Sequence, residues 1–577
     1  MAFNKAQLEA GQLVWLLDLH IRGRVYRFST DIVEVQSGSD VGPSSFNYAA
    51  GLEFLEYEDV VGLLDAESST REVSVSVLFQ AGQQEGWTSI SDTSRDAGQA
   101  SGQLSLHLVG NTHKQREIIV DGFLDSPSYG ASEEPVAFTL QESDHIDPAL
   151  FPPIGAKVDH VNWPQHTLGG GSSIRPDDNA VGQVYPWIFG NPGTSPPIGW
   201  WGQNTGYFDA TPALLVGIDT TAEDNSAQTA TLLLAGHEVW LESTVVTDNK
   251  VTLYNDDWSA PQELHVQHKK DGSNRTIAFV SAASPGPTYP YYIKVGEEIW
   301  VSWSGTVGGV INKDRTGPMR GAGEIISYLL EQSGLRVDTL RSRAPLKAVD
   351  AYLLDFWINE PRTPAEIISE EILPILPLSP QQRNEGLSFV YWRWDATAEQ
   401  ASDRIDIDKD FGDRVSPVEV SSFSEVYNQI TIEFCRTGPD GQLRKRLTYA
   451  REAGFSVVDG IRYEDHRVIF NQYALASFSR YGLREAPTVQ APIVERDETA
   501  IAILDWMIRF HSQARRTVAY RLPQKYQTLE PGDVVTLTDS EIGFSETVCL
   551  VTSVIRAPGL TEVSFTTVPH WAADTRV

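Results

Sequence analysis

The sequence predicts a mainly β, multidomain protein. Three observations carry that expectation. Short runs alternate apolar and polar residues, as in "REVSVSVLF", where Val73, Val75 and Val77 alternate with serines. Pro and Gly punctuate the runs, with 45 Gly and 32 Pro in 577 residues, a turn density that favours short strands. Helical periodicity is clear only in a few stretches beyond residue 319.

Segment 1–147 opens with "LVWLLDLHIRGRVYRFST", two strands meeting at Arg22-Gly23-Arg24, and continues through "GQLSLHLVG", "REIIVDGFLDS" and "EPVAFTLQ". Many short strands joined by turns predict a barrel or sandwich. Segment 148–318 has eight of the 15 tryptophans, dense Pro and Gly, and β-like runs such as "ATLLLAGHEVWLES" and "TIAFVSA". It is expected to be an inserted all-β domain. Segment 319–421 is expected to be a small α+β domain. In "GAGEIISYLLEQSG", Ile325 and Leu329, then Ile326 and Leu330, stack at i,i+4 and Gly334 supplies a left-handed stop. "TPAEIISEEILP" has a capping box with Thr363 at N-cap, Pro364 at N1 and Glu366 at N3.

Segment 422–577 opens with "EVYNQITIEFCRTGPDGQLRKRLTYA", a hairpin with "GPDG" at its tip. A helix follows in "RDETAIAILDWMIRFHSQAR". Ala500, Ile503, Leu504, Met507 and His511 line one face, Asp497 and Glu498 occupy the first turn, and Arg515 and Arg516 the last. Pro531-Gly532 then sets a tight turn into the strand "DVVTLT". "GFLDSPSYGASEEPVAFTL" and "SVIRAPGLTEVSFTT" echo one another: strand, Pro/Gly turn, Glu, then V-x-F-T. Either hairpin composition alone produces the echo, or one chain carries two similar barrels.

The net charge is −32, from 45 basic and 77 acidic residues, and residues 421–577 hold 17 of the basic and 19 of the acidic ones. The excess acid therefore lies almost wholly before residue 421. Such a surface repels nucleic acid, which excludes sequence-specific binding and suits a surface that DNA passes without sticking. Cys435 and Cys549 fall within predicted strands and are expected as buried thiols, one disulfide being the alternative. Four-cysteine zinc sites are excluded by count. No signal peptide or membrane span is expected: the only early apolar run is five residues long and ends at Asp18.

No catalytic residue or cofactor site is assigned, because G-x-S-x-G, Walker and H-E-x-x-H patterns are missing. Asp406, Asp408 and Asp410 in "DIDKDFGD" would share one side of an extended chain and form a candidate calcium set. Against this, Phe411 stands where an EF-hand needs Gly and Pro417 where it needs Glu, so a solvated acidic turn is the simpler reading. His265 and His268 in "HVQH" would point to opposite faces of a strand, which disfavours zinc. Trp200, Trp201 and Tyr207 in "IGWWGQNTGYFD" are candidate glycan contacts, weighed against ordinary core aromatics.

The stretches "EVYNQITIEF" and "SRYGLREAPTVQAPIVERDETAIAILDWMIRFHSQARRTVAYRLPQKYQTLEPGDVVTLTD" resemble the tail-hub proteins of tailed bacteriophages and gene transfer agents. "GFLDSPSYGASEEPVAFTLQESDHIDPALFPP" resembles their N-terminal domain, and "GQVYPWIFGNPG" and "GAGEIISYLLEQSGLRVD" fit hubs of long-tailed phages. The resemblance implies two tube-like β-barrel domains at the termini and a non-enzymatic homotrimer at the virion tail tip, assembled in the host cytoplasm. That ring would adapt a sixfold tail tube or distal tail ring to a threefold spike or fibre, or to the tape measure protein, and would line the DNA exit channel. The alternative is a carbohydrate-binding or cell-wall-degrading tail-tip component.

Overall fold

The computed structural model describes residues 12–21, 23–38, 43–60, 72–79, 100–128, 134–142, 150–153, 156–161, 163, 176, 178–192, 211–219, 229–241, 250–254, 262–283, 298–302, 310–334, 337–383, 386–410, 412–436, 442–454, 465–557 and 560–569. The chain is mainly β and multidomain. Both termini feed one sixteen-stranded sheet. Nine strands come from the N-terminal segment: β1 (Leu13–Ile21), β2 (Arg24–Ser29), β3 (Val33–Gln36), β4 (Ser45–Ala50), β5 (Leu52–Val60), β6 (Glu72–Val77), β7 (Ser101–Leu108), β8 (Glu117–Ser128) and β9 (Val136–Glu142). Seven come from later in the chain: β10 (Asp403–Asp406), β11 (Asp413–Arg414), β12 (Glu419–Val420), β13 (Arg516–Pro523), β14 (Val534–Asp539), β15 (Phe544–Ala557) and β16 (Leu560–Thr567). The sheet runs β11-β13-β16-β15-β5-β6-β9-β8-β7-β1-β2-β4-β3, with β12 on β13 and β14 between β10 and β15. The two terminal modules were expected as tube-like barrels. Among the described residues no barrel closes, and the two modules join edge to edge in one sheet curled as a half-barrel, through Ser553↔Val60, Val554↔Asp59, Ile555↔Glu58 and Arg556↔Tyr57 of β15 and β5.

Strand alternation gives each half its own core. In the N-terminal half Trp15, Leu17, Leu19, Val73, Val75, Val77, Leu104, Leu106, Phe138 and Leu140 are buried together. In the C-terminal half Val518, Tyr520, Leu522, Val535, Leu537, Val551, Val563 and Phe565 are. On the other side of β1, buried Asp18 gathers Tyr48 Oη at 2.9 Å, Arg27 Nε at 3.2 Å and His113 Nε2 at 3.3 Å. Burial alone would raise its pKa. The hydrogen bonds from His113 and Tyr48 and the nearby Arg27 charge outweigh that and hold the carboxyl below its ordinary range.

A separate central body has its own core. It draws on Phe151 to Phe189, on α1 (Ala322–Ser333) and α2 (Thr339–Val349), and on the four-stranded sheet of 430–436, 443–450, 465–470 and 489–491 with α4 (Asp497–His511) against it. Helix α3 (Gln472–Tyr481) packs beside them. The inserted segment, expected to be all-β, holds a seven-stranded antiparallel sheet between 211 and 302 that meets this core through Leu233 and Ile277. Residues on both sides of position 421 contribute to each body. Strands β10–β12 belong to the terminal sheet, whereas 430–510 belong to the central body.

The capping box forms as read: Thr363 Oγ1 accepts from Glu366 N at 3.2 Å, and the Glu366 carboxylate accepts from Thr363 N at 2.8 Å. Helix α4 stops earlier than its charges suggested. Ser512 caps it, so Arg509 and His511 stand in the last turn and Arg515 lies beyond. Arg515 folds back instead, donating to Phe510 O at 3.3 Å with its guanidinium 4.4 Å from the Phe510 ring. Cys435 and Cys549 are buried thiols outside any disulfide, and Cys435 Sγ accepts from Arg444 Nε at 3.2 Å.

His237 from "GHEVW" is buried, and its Nε2 accepts from Ile188 N at 3.0 Å. Burial pushes both His237 and His107 down to about 4 from 6.5. In the folded chain these rings stay neutral until about pH 4, whereas in the unfolded chain they take protons near 6.5. The unfolded state then binds more protons in that window, so stability falls as pH drops from 6.5 toward 4, by up to about 3 kcal/mol per ring. Half-buried Asp533, raised to about 6, works in the opposite sense and offsets part of the loss. Urea midpoints between pH 7 and 4 are expected to decline, and His107→Gln is expected to flatten the decline.

Candidate assembly surface

The alternation that fills the two cores leaves the opposite face polar. Across β8, β9 and β6 it presents Asp125, Thr139 and Ser74, and in the next row Ser128, Ala137 and Ser76, with Glu53 of β5 opposite Ser76. Across β15, β16 and β13 the matching rows are Ser553, Ser564 and Ala519, then Ile555, Glu562 and Arg521. Glu53, Ser74, Asp121, Asp125 and Arg521 are exposed. Gln103 Nε2 donates to Asp121 at 3.0 Å, and Arg521 Nε lies 3.6 Å from Glu562. Seven neighbouring strands from β8 to β13 make this face about 29 Å wide at the usual strand spacing. Among the described side chains it is mainly polar, with Phe123 exposed between Asp121 and Asp125, as suits an antiparallel sheet with one face in water.

The echo between the two segments has a structural counterpart. Val136 and Phe138 of β9 and Val563 and Phe565 of β16 are all buried. In each hairpin the partner strand bulges beside them: β8 between Asp125 and Ser128, β15 between Val551 and Ser553. The next strand follows suit, Val75 lying opposite Phe138 and Val518 opposite Phe565. The two hairpins therefore share core residues, bulge and outer neighbour.

The central body is tied to both halves at one residue. Arg341 of α2 reaches Glu530 at 3.2 Å, Asp338 at 3.5 Å and Glu117, the first residue of β8, at 3.7 Å. Glu530 begins the Pro531-Gly532 turn. Gly532 has φ +91°, and a Cβ there would sit 2.4 Å from Val390 Cγ1, so this turn needs glycine both for its backbone and for its packing. Beside it lies an open groove of about 500 Å³ lined by Arg341, Arg393, Asp395, Gln400, Glu530 and Asp533 among others. Burial is what raises Asp533, and the hydrogen bond from Glu530 N works against it.

The calcium candidate does not take the expected geometry. The chain is extended only to Asp406, and Ile407–Asp410 is a helical turn, so the alternation that would align three carboxylates is broken. Asp410 accepts from Lys525 Nζ at 2.7 Å and Tyr526 Oη at 2.6 Å, Asp408 accepts from Ser540 Oγ at 3.0 Å, and Asp406 takes Lys409. Among the described residues no group of three His, Cys, Asp or Glu could hold a metal ion. His268 Nε2 accepts from Val239 N at 3.2 Å, a structural use. Trp200, Trp201 and Tyr207 lie outside the described residues. Sequence reasoning missed the β5–β15 junction and Arg341. Only the echo hinted at the first, and nothing local marks the second. No helix among the described residues is long and apolar enough to cross a membrane.

Residues 462–552, from before α3 into β15, match a family described as a putative phage tail protein. This meets the expected resemblance where the sequence carries it most specifically. No curated protein matches the chain. Among solved structures, the chain is similar to the 43 kDa tail protein of prophage MuSo2 from Shewanella oneidensis, at 11% identity over 95% of this chain and 98% of that one, TM-score 0.35. It is similar also to the tail protein from Neisseria meningitidis MC58, at 10% identity over 96% of each chain, TM-score 0.28. A third is prophage tail protein gp18 from Listeria monocytogenes EGD-e, at 9% identity over 62% of this chain and 93% of that one, TM-score 0.23.

Proposed function

We propose that this chain is the structural hub of a phage tail tip, three copies closing into a ring whose inner wall is the polar sheet face. The observation that carries this reading is the shared hairpin register of β8–β9 and β15–β16, joined edge to edge within one chain. Two equivalent units per copy make six per trimer. A pseudo-sixfold rim can then meet a sixfold tail tube or distal tail ring through repeated contacts, while the trimer itself matches a threefold spike, fibre or tape measure protein. A wall dominated by Ser, Thr, Asp and Glu, with Arg521 held beside Glu562, offers DNA little phosphate-binding charge, and the net charge of −32 repels it. The division of labour follows: the sixteen-stranded sheet forms the tube, and the central body with the 211–302 sheet decorates its outside. The role is structural and not enzymatic, sited at the tail tip.

Threefold-averaged cryo-electron microscopy of tail tips tests this. A three-copy ring with an open channel walled by β8, β9, β6, β5, β15, β16 and β13 is the expected result. One copy per tail, or a ring with the polar face turned outward, overturns it. A peptidoglycan zymogram of the purified chain is expected to stay blank.

A further inference from the structure

A buried asparagine holds one surface turn rigid. Asn428 Nδ2 donates to Gly482 O at 2.7 Å and to Ser477 Oγ at 3.3 Å, and its Oδ1 accepts from Arg484 N at 2.8 Å. Arg484 O in turn accepts from Asn428 N at 2.8 Å and Gln429 N at 3.0 Å. The clamp fixes the backbone and leaves the side chains in solvent: Leu483 is 58% exposed, and Arg484 is exposed beside it. Phe423, 57% exposed, lies against Tyr481 with ring centroids 5.8 Å apart, and exposed Arg480 stands 5.4 Å from the Tyr481 centroid. Aromatic, apolar and arginine side chains on a backbone already ordered have the make-up of an interface hot spot, because docking then costs little further ordering.

This turn stands where the terminal sheet ends. β11 and β12 lie on the outer edge of β13, Val420 opposite Arg516, and Ser421 N bonds Arg515 O at 2.8 Å just before Phe423. The far end of the polar wall carries the complement. On β8, Phe123 is 41% exposed between exposed Asp121 and Asp125. The β7 ladder along β8 stops at Phe123, so Asp125 lies past its cover, whereas Asp121 already accepts from Gln103 of β7. We infer that the 480–484 turn of one copy docks on this stripe of the next, Leu483 and Phe423 against Phe123 and Arg484 against Asp125. A basic, apolar turn meets an apolar ring set between carboxylates, so charge and apolar surface both match. A second copy supplies that acid in quantity, since the segment before residue 421 holds the other 28 basic and 58 acidic residues of the chain. The contact is heterologous, one end of the wall on the other, so it repeats by rotation and closes when the angle permits. A few side chains fall well short of the roughly 800 Å² per partner of a stable complex, so the contact takes effect only where three of them close together. This inference rests on the ring proposed above and names its subunit contact.

Charge exchange tests it in assembled tails. Arg484→Glu is expected to lower incorporation of the chain into tails at least tenfold, with the urea midpoint of the free chain unchanged because the side chain is exposed. Adding Asp125→Arg restores the pair with its signs exchanged and is expected to recover most of that loss. Adding Glu34→Arg, an exposed position on β3 at the other end of the whole sheet, is expected to recover none. Leu483→Ser, which removes exposed apolar surface and no charge, is expected to lower incorporation severalfold, again at an unchanged midpoint. Incorporation of Arg484→Glu and Leu483→Ser at the level of the unaltered chain overturns the contact. So does rescue by Glu34→Arg in place of Asp125→Arg, or by neither. Any of these results with a three-copy ring still seen in unaltered tails leaves the ring standing, and unaltered tails without a three-copy ring overturn the ring itself.

Discussion

Asp355→Ala is expected to destabilise the central body by about 3–5 kcal/mol, the cost of breaking a buried ion pair from one side. Asp355 is 1% exposed. Its Oδ1 accepts from Arg320 Nε at 3.0 Å, Arg320 Nη2 at 2.9 Å and Asn191 N at 2.6 Å, and Arg496 Nε stands 3.5 Å from Oδ2. The carboxylate therefore ties the strand ending at Phe189, the lead into α1 and the lead into α4 at a single point. Removing it leaves the Arg320 guanidinium, only 20% exposed, facing Arg496 with no carboxylate between them, and frees Asn191 N. Asp355→Asn keeps the shape and one acceptor but drops the charge, so its cost should be smaller. Urea titration followed by Trp fluorescence reads both. A loss below about 1 kcal/mol for the alanine variant would show that water replaces the carboxylate.

Gly323→Ala is expected to cost about 3 kcal/mol, at the upper end for overpacking. A Cβ there would sit 1.9 Å from the Leu346 carbonyl oxygen and 2.5 Å from its carbon. Both are backbone atoms of α2, so no side chain can turn aside and the two helices must part. Ile325, Ile326, Leu329 and Leu330 are fully buried on α1, and separation opens their packing. Gly317→Ala is the control. Its nearest neighbour is Asn312 Nδ2 at 3.9 Å, and its effect should stay within about 0.5 kcal/mol. Equal urea midpoints for the two variants would refute the close-packing account.

What the sequence made legible was local. Val73, Val75 and Val77 alternate because one face of β6 is buried, and that pattern needs no knowledge of β6's partners. The Thr363 capping box and the left-handed Gly334 after α1, φ +71°, are set by neighbouring residues. The errors arose where distant contacts overrule local pattern. Arg515 looked like a helix-terminal charge, but α4 must end at His511 for β13 to begin at Arg516. Asp406, Asp408 and Asp410 alternate as on a strand, yet Lys525 and Tyr526 draw Asp410 in another direction. The β5–β15 junction joins residues almost the full chain apart, and no window of sequence contains both sides.

That separation governs synthesis. Ser553 is made 493 residues after Val60, so at about 5–20 residues per second β5 waits on the order of half a minute or more for its neighbour. Throughout that wait the nascent chain carries an unsatisfied strand and calls for chaperone shelter. A chain broken off before β15 can never cover it. Products broken off before β15 are thereby barred from completing the terminal sheet, so β15 acts as a check that the chain has been made at least that far.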